Sequence, residues 1–192
     1  MKNKGFTLIE LLAVITIMGI LMLVAIPAVS RTIENSRRDT FADIAHNYLN
    51  AVRNAVLADN IQCYTNGEGK EAVVASATSD GTYYFVIDTQ GDAQAMKDLM
   101  ESGGKSPFGN SELKGYVKWV KTTDKGKDDE NKKTVTKYSM KLVDSGSHGF
   151  DTELVESQIK RSKISTKTSK SATDSIEPDK KDGETLIKCE LS

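Results

Sequence analysis

A run of apolar residues from 11 to 29, entered through a short basic leader and broken near its start by one carboxylate, Glu10, limits what this chain can fold into more than any other feature. About twenty apolar residues are enough to cross a hydrocarbon core as a helix. An unpaired acid at the middle of a bilayer costs about 2.5–3.5 kcal/mol on insertion scales, and less toward a membrane face. Glu10 therefore needs a partner, or else a place at headgroup level beside Lys2 and Lys4. A secretory signal peptide carries a shorter apolar core of about 7–15 residues followed by a cleavage site. Here the run is longer and continues into an amphipathic segment, which argues against removal of the whole run. A plain single-span anchor accounts for the length but leaves Glu10 and the Gly5-Phe6 junction without a reason.

The junction Gly5-Phe6-Thr7-Leu8-Ile9-Glu10-Leu11 resembles the prepilin junction of type IV pilins and of the pseudopilins of type II secretion and DNA-uptake machines. The resemblance implies that a membrane-embedded prepilin peptidase cuts after Gly5 on the cytoplasmic side and that the new N-terminal residue, Phe6, is N-methylated. The leader 1–5 is lost and the apolar helix stays. Gly19 and Pro27 stand where such pilins commonly carry a glycine and a proline. The implied fold is α+β, a long N-terminal helix, transmembrane in its first half, packed on an antiparallel β-sheet head. The implied function is that of a structural subunit polymerised through this helix into a surface filament. The implied partners are other copies or related pilins, the peptidase, the membrane platform of the pilus machine and, before assembly, membrane lipid. No catalytic residue, metal or cofactor belongs to this reading. The orientation, head outside the cytoplasmic membrane, also comes from the resemblance, because Arg31, Arg37 and Arg38 place positive charge on the far flank as well. A minor pilin or a pseudopilin shares the same motif. A single-span surface protein whose head binds a ligand without polymerising is the reading from a different class.

The chemistry of Glu10 follows from that cut. Cleavage after Gly5 frees an α-amine on Phe6, whose unperturbed pKa is about 7.7–8.0. Among side-by-side helices, Glu10 of one subunit can meet the amine of its neighbour, and registers that leave two buried charges unmet are costly. The acid is then a device that sets axial stagger. Proline removes a backbone hydrogen bond and costs about 3 kcal/mol in a soluble helix interior, but neighbours re-satisfy the backbone in membranes. Gly19 and Pro27 thus weaken the helix between them: a kink in the monomer, with partial unwinding in the assembled filament implied by the resemblance.

The rest of the 192 residues supports one modest domain. Without Lys2 and Lys4 the chain keeps 24 basic against 27 acidic side chains, a net charge near −3 before the new amine is counted. That balance argues against a generic polyanion or nucleic-acid binder. Cys63 and Cys189 stand at opposite ends of the exported part, where an oxidising compartment lets a disulfide persist. Two unpaired thiols are the alternative. If paired, the cysteines staple the C-terminal strand near the end of the long helix, and reduction is expected to release the C-terminus first.

The domain plan is a leader over 1–5, a filament-core half of the helix over 6–29, an amphipathic half over 30–60 and a head over 61–192. The amphipathic half shows a stripe at Phe41, Ile44, Ala45, Tyr48, Leu49, Val52, Ala55 and Val56, in steps of three and four. Residues 65–81 form a Gly-punctuated connector that could hold a short strand or a helix. Strands are expected over 83–87, 116–121 and 137–143, the last two as a hairpin with a charged tip, and a short helix over 92–102. Residues 151–164 read either as an amphipathic helix with Leu154, Val155 and Ile159 inward or as an extended edge. Residues 165–183, rich in Ser, Thr, Lys and Asp, read as a mobile surface loop with little to bury, before a final strand over 185–189.

Side chains that could carry other chemistry lack the right company. His46 and His148 have no acid and nucleophile at motif spacing. The acidic cluster over 124–130 departs from the order of a calcium loop. Trp119 and Tyr116 sit in an alternating strand and read as sheet-packing residues ahead of a base-stacking platform. The lysines between 160 and 170 read as solvating a loop, with contact to DNA or an anionic surface as the other reading.

Overall fold

The computed structural model describes residues 5, 7–64, 72–73, 80–89, 105–109, 112–124, 133–172, 174–179 and 184–191. The chain divides into two compact units, Met1–Arg37 and Arg38–Ser192, with one helix, α1 (Leu8–Leu57), running through both.

From Leu8 to Val29 α1 is apolar on every side apart from Glu10 and Thr16. Large hydrophobic residues from Leu8 to Ile33 are exposed, Leu8 at 84% and Leu23 at 76%. A helix that is hydrophobic all round belongs inside a membrane or a larger bundle, and this one is long and apolar enough to cross a membrane by length and composition. Three of its hydroxyl side chains are folded back on the backbone. Thr16 Oγ1 donates to Ala13 O at 2.8 Å, Ser30 Oγ to Ile26 O at 3.0 Å and Thr32 Oγ1 to Ala28 O at 3.1 Å, which removes the need for water at those hydroxyls. Pro27 lies inside the helix. It has no N–H, so the Leu23 carbonyl lacks its usual donor one turn on.

In the second unit α1 turns amphipathic. Phe41, Ala42, Ile44, Ala45, Tyr48, Leu49 and Val52 are buried against Ile61, Phe85, Ile87, Val117, Trp119, Met140 and Leu142 of the sheet. The stripe read from the sequence is this face, with Ala55 and Val56 partly buried at its end. The helix stops in a Schellman arrangement. Asn60 N donates to Ala55 O at 3.0 Å and Asp59 N to Val56 O at 3.4 Å, with Asp59 left-handed at φ 56°.

Seven strands follow: β1 (Ile61–Tyr64), β2 (Ala72–Val73), β3 (Gly81–Asp88), β4 (Leu113–Asp124), β5 (Lys133–Asp144), β6 (Leu154–Val155) and β7 (Leu186–Leu191). They form one sheet in the order β2-β1-β7-β3-β4-β5-β6. The α+β class and the β3-β4-β5 meander are as expected. The sheet is antiparallel at every pair except β3 and β7, which run parallel. The last strand thus fills the slot between β1 and β3, the two strands that a meander would have paired, and lies in the interior of the sheet.

Of the two readings for residues 151–164, the extended edge is the one found: Leu154–Val155 pairs at the sheet edge, and single 3₁₀ turns follow at Glu156–Gln158 and Arg161–Lys163. Leu154 and Ile159 are buried, but Val155 is 42% exposed because neighbouring strand residues point to opposite faces. Residues 165–183 do have something to bury. Ala172, Ile176 and Pro178 are buried, Ile176 against Tyr116 and Val143 on the sheet face away from α1. Thr168 N donates to Ser147 O and Ala172 N to Asp144 O, so the described part of this segment is strapped to the head. Of the connector, Ala72–Val73 is a strand, while 65–71 and 74–79 lie outside the described residues, as do the expected helix over 92–102 and the hairpin tip from 125 to 132.

Candidate functional site

The N-terminal unit holds the residues singled out for processing and assembly. Gly5 is described and exposed, and Phe6 lies outside the described residues. Two residues further on, Thr7 and Glu10 form a capping box. Glu10 Oε2 accepts from Thr7 N and from Thr7 Oγ1, both at 2.8 Å, and Glu10 N donates back to Thr7 Oγ1 at 3.4 Å. Two backbone N–H groups that a helix start leaves orphaned are thereby satisfied. The own-chain neighbours expected of Glu10 were Lys2 and Lys4, not Thr7. The signal was present as Thr-x-x-Glu ahead of an apolar run. Glu10 Oε1 accepts no hydrogen bond from the described residues, so the carboxylate keeps capacity for a cation from elsewhere. Gly19 lies on open helix surface, with nothing within 4 Å of where a Cβ would stand.

In the head, Cys63 and Cys189 are joined in a disulfide across 126 positions, with Cα atoms 4.0 Å apart. The two are direct partners in the β1/β7 register, and both are buried in the core. The bridge ties the first strand after α1 to the last strand of the chain.

Two polar clusters fix the sheet's surroundings. Asp144, 0% exposed at the end of β5, accepts from Ser106 Oγ at 2.6 Å and from His148 N at 2.7 Å, and its Oδ2 lies 3.0 Å from His148 Nδ1. The His148 ring stacks on Phe108 at 4.2 Å. Ser106 donates to the aspartate and not to the histidine, so this trio lacks the hydroxyl-to-imidazole contact that activates a nucleophile and serves to pin two loops. His46 Nε2 lies 3.2 Å from Ile159 O. On the opposite sheet face, Glu153 accepts from Tyr116 OH at 2.9 Å and Ser139 Oγ at 2.7 Å, with Lys118 Nζ 3.8 Å away. Burial, reinforced by the Glu153 carboxylate, pushes the Tyr116 phenol far above its ordinary range. Burial alone pushes Tyr48 up to about 12. Trp119 stacks on Tyr83 at 4.8 Å in the core, a packing role. Among the described residues no group of three or more His, Cys, Asp or Glu side chains could hold a metal ion.

A family model for the prokaryotic N-terminal methylation motif matches residues 1–26. Comparison with curated proteins returned no match. Comparison with solved structures returned none either. The motif points to a structural protein that a prepilin peptidase processes and that assembles with other pilins, anchored in a membrane beforehand. The chain therefore carries the prepilin motif of type IV pilins at its N-terminus, ahead of an α+β head of pilin-like architecture.

Proposed function

We propose that this chain is a type IV pilin, the structural subunit of a surface filament, released from its leader 1–5 by cleavage after Gly5 and methylated on Phe6. The observation that carries the reading is the match over residues 1–26 together with a helix whose apolar side chains are exposed on every side from Leu8 to Ile33. Such a surface requires lipid before assembly and sister helices afterwards. Residues 6–29 form the filament core, 30–60 the amphipathic half that carries the head, and 61–192 the head displayed outside the cell.

Glu10 sets the stagger between subunits. In the single chain the Thr7 capping box disperses part of the carboxylate's charge through two hydrogen bonds, which lowers the cost of holding the acid near a membrane face. In the filament Oε1 receives the Phe6 α-amine of a neighbour. A subunit slipped along the axis forfeits that pair and leaves two charges in a low-dielectric bundle. Gly19 and Pro27 supply the give that lets neighbouring helices adjust.

The test is assembly of a Glu10→Val variant, read as the amount of subunit in sheared surface filaments. The variant should be processed and reach the membrane but yield few filaments. Filaments at the parent's level would refute the register role. Abundance of the parent in the same sheared fraction distinguishes a major filament subunit from a minor or priming one.

A further inference from the structure

Along the head-bearing part of α1, from Phe41 to Val56, four residues are exposed: Asp43, Asn47, Asn50 and Asn54. Their steps of four, three and four draw one narrow seam with the a/d spacing of a coiled coil. Thr40 and Leu57, both exposed, extend it in the same rhythm. The rest of this stretch is buried or half-buried. The sheet covers the apolar stripe, and the segment 156–161 runs along a flank. It is held where Arg53 pairs with Glu156, where His46 Nε2 lies 3.2 Å from Ile159 O and where Arg161 pairs with Asp39 at 3.1 Å.

Asn is among the poorer helix formers, and exposed helix positions are better served by Lys, Glu or Ala. Yet no Lys, Arg or Glu stands on the seam, in a chain that is 28% charged. A face that meets copies of itself cannot be lined with one sign of charge, whereas an amide both donates and accepts and so complements its own kind. Asp43, Asn47 and Asn54 have no side-chain partner among the described residues. Asn50 Oδ1 accepts from Arg53 Nη1 at 3.1 Å, which leaves the Asn50 NH2 as a donor for another chain.

We propose that this seam is where sister copies of the chain meet at the level of their heads, helix beside parallel helix, through hydrogen bonds among the amides and the Asp43 carboxylate. The inference rests on the filament reading: with heads outward, the one side of α1 that its own head leaves bare faces the sister helices. An axial shift of four residues, about 6 Å at 1.5 Å per residue, sets Asp43 of one copy level with Asn47 of the next and Asn50 level with Asn54. Asn47 then donates to the carboxylate, and Asn50 donates to Asn54 Oδ1. The same shift sets position 6 level with Glu10, the pair proposed for the membrane half.

The experiment reads the yield of sheared surface filaments from full-length subunits, with subunit in membranes as the reference. Asn47→Glu sets a second carboxylate against Asp43 of the next copy and should lower the yield by about tenfold, because like charges brought together across an interface are strongly disfavoured. Asn47→Lys offers Asp43 a cation and should assemble at least as well as the parent. Both replacements are better helix formers than Asn, so membrane levels should match. A second readout locates the contact. Cys63 and Cys189 are bonded to each other, so thiols introduced at the seam are the free ones. Filaments assembled from a mixture of Asn50→Cys and Asn54→Cys chains should give far more disulfide-linked dimer on oxidation than filaments of either variant alone. Equal yields from Asn47→Glu and Asn47→Lys, or mixed filaments that give no dimer, would overturn the seam and leave the filament reading in place. A parent that sheds no filaments would remove both.

Discussion

Breaking the Cys63–Cys189 bridge should weaken the head as a whole, not loosen its C-terminus alone. The bridge closes a loop of 126 positions, and the chain-entropy relation gives about 16 cal/mol/K, or about 5 kcal/mol at 25 °C. Stabilities of single domains are about 5–15 kcal/mol, so a third or more of the total is at stake. Where that loss is felt depends on topology. Had β7 been an edge strand held by Leu186 and Ile187, reduction would let the end fray while the helix stayed protected. Instead β7 is paired on both sides, Ile61 to Tyr64 of β1 on one and Thr82 to Phe85 of β3 on the other. Peeling it out would split the sheet and open two inner edges, a cost comparable to unfolding. Urea denaturation with and without reductant measures the first effect. With a slope of about 2 kcal/mol/M the midpoint should fall by about 2.5 M. Amide exchange under reducing conditions measures the second: residues 186–191 should exchange together with β4, at the rate set by global unfolding. A midpoint shift below about 0.5 M, or β7 amides exchanging far ahead of β4, would refute the reasoning.

Asp144→Ala should cost about 3 kcal/mol, because Ser106 Oγ and two His148 donors lose a buried charged acceptor; a melting temperature lowered by about 6–12 °C is the readout. Stability should fall above pH 10. A phenol whose folded pKa is raised gives stability that is complete below its unfolded value of about 10 and is lost as pH climbs toward the folded one. Tyr116 and Tyr48 are both shifted this way, so the loss should approach about 1.4 kcal/mol per pH unit for each, and Tyr116→Phe should flatten the profile between pH 10 and 12 in urea titrations. Gly5→Val places a branched side chain at the scissile junction, so uncleaved precursor should accumulate in membranes and be visible by its mass.

The strands at 83–87, 116–121 and 137–143 and the helical stripe after Phe41 were legible because their periodicities follow from which face is buried. The membrane-length helix was legible for the opposite reason, since it buries nothing within its own chain. The insertion of β7 between β1 and β3 was not legible: no local pattern in Leu186-Ile187-Lys188-Cys189 says which strands will flank it. The segment 165–183 misled because composition was weighed over nineteen positions, whereas two or three buried side chains, Ala172, Ile176 and Pro178, suffice to hold it. Residues 151–164 carried a helix-like spacing, yet Leu154 and Ile159 reach the core through one strand pair and a 3₁₀ turn. At the N-terminus the isolated charge of Glu10 was visible, and its bond to Thr7 was missed although the spacing announced it.

The most direct test of the account is the N-terminus of the mature protein, read by mass spectrometry of subunit taken from membranes and from sheared surface material. The mature chain should begin at N-methylated Phe6, with the leader 1–5 absent. A chain that still begins at Met1, or one cut after the apolar run so that residues 11–29 are missing, would contradict it.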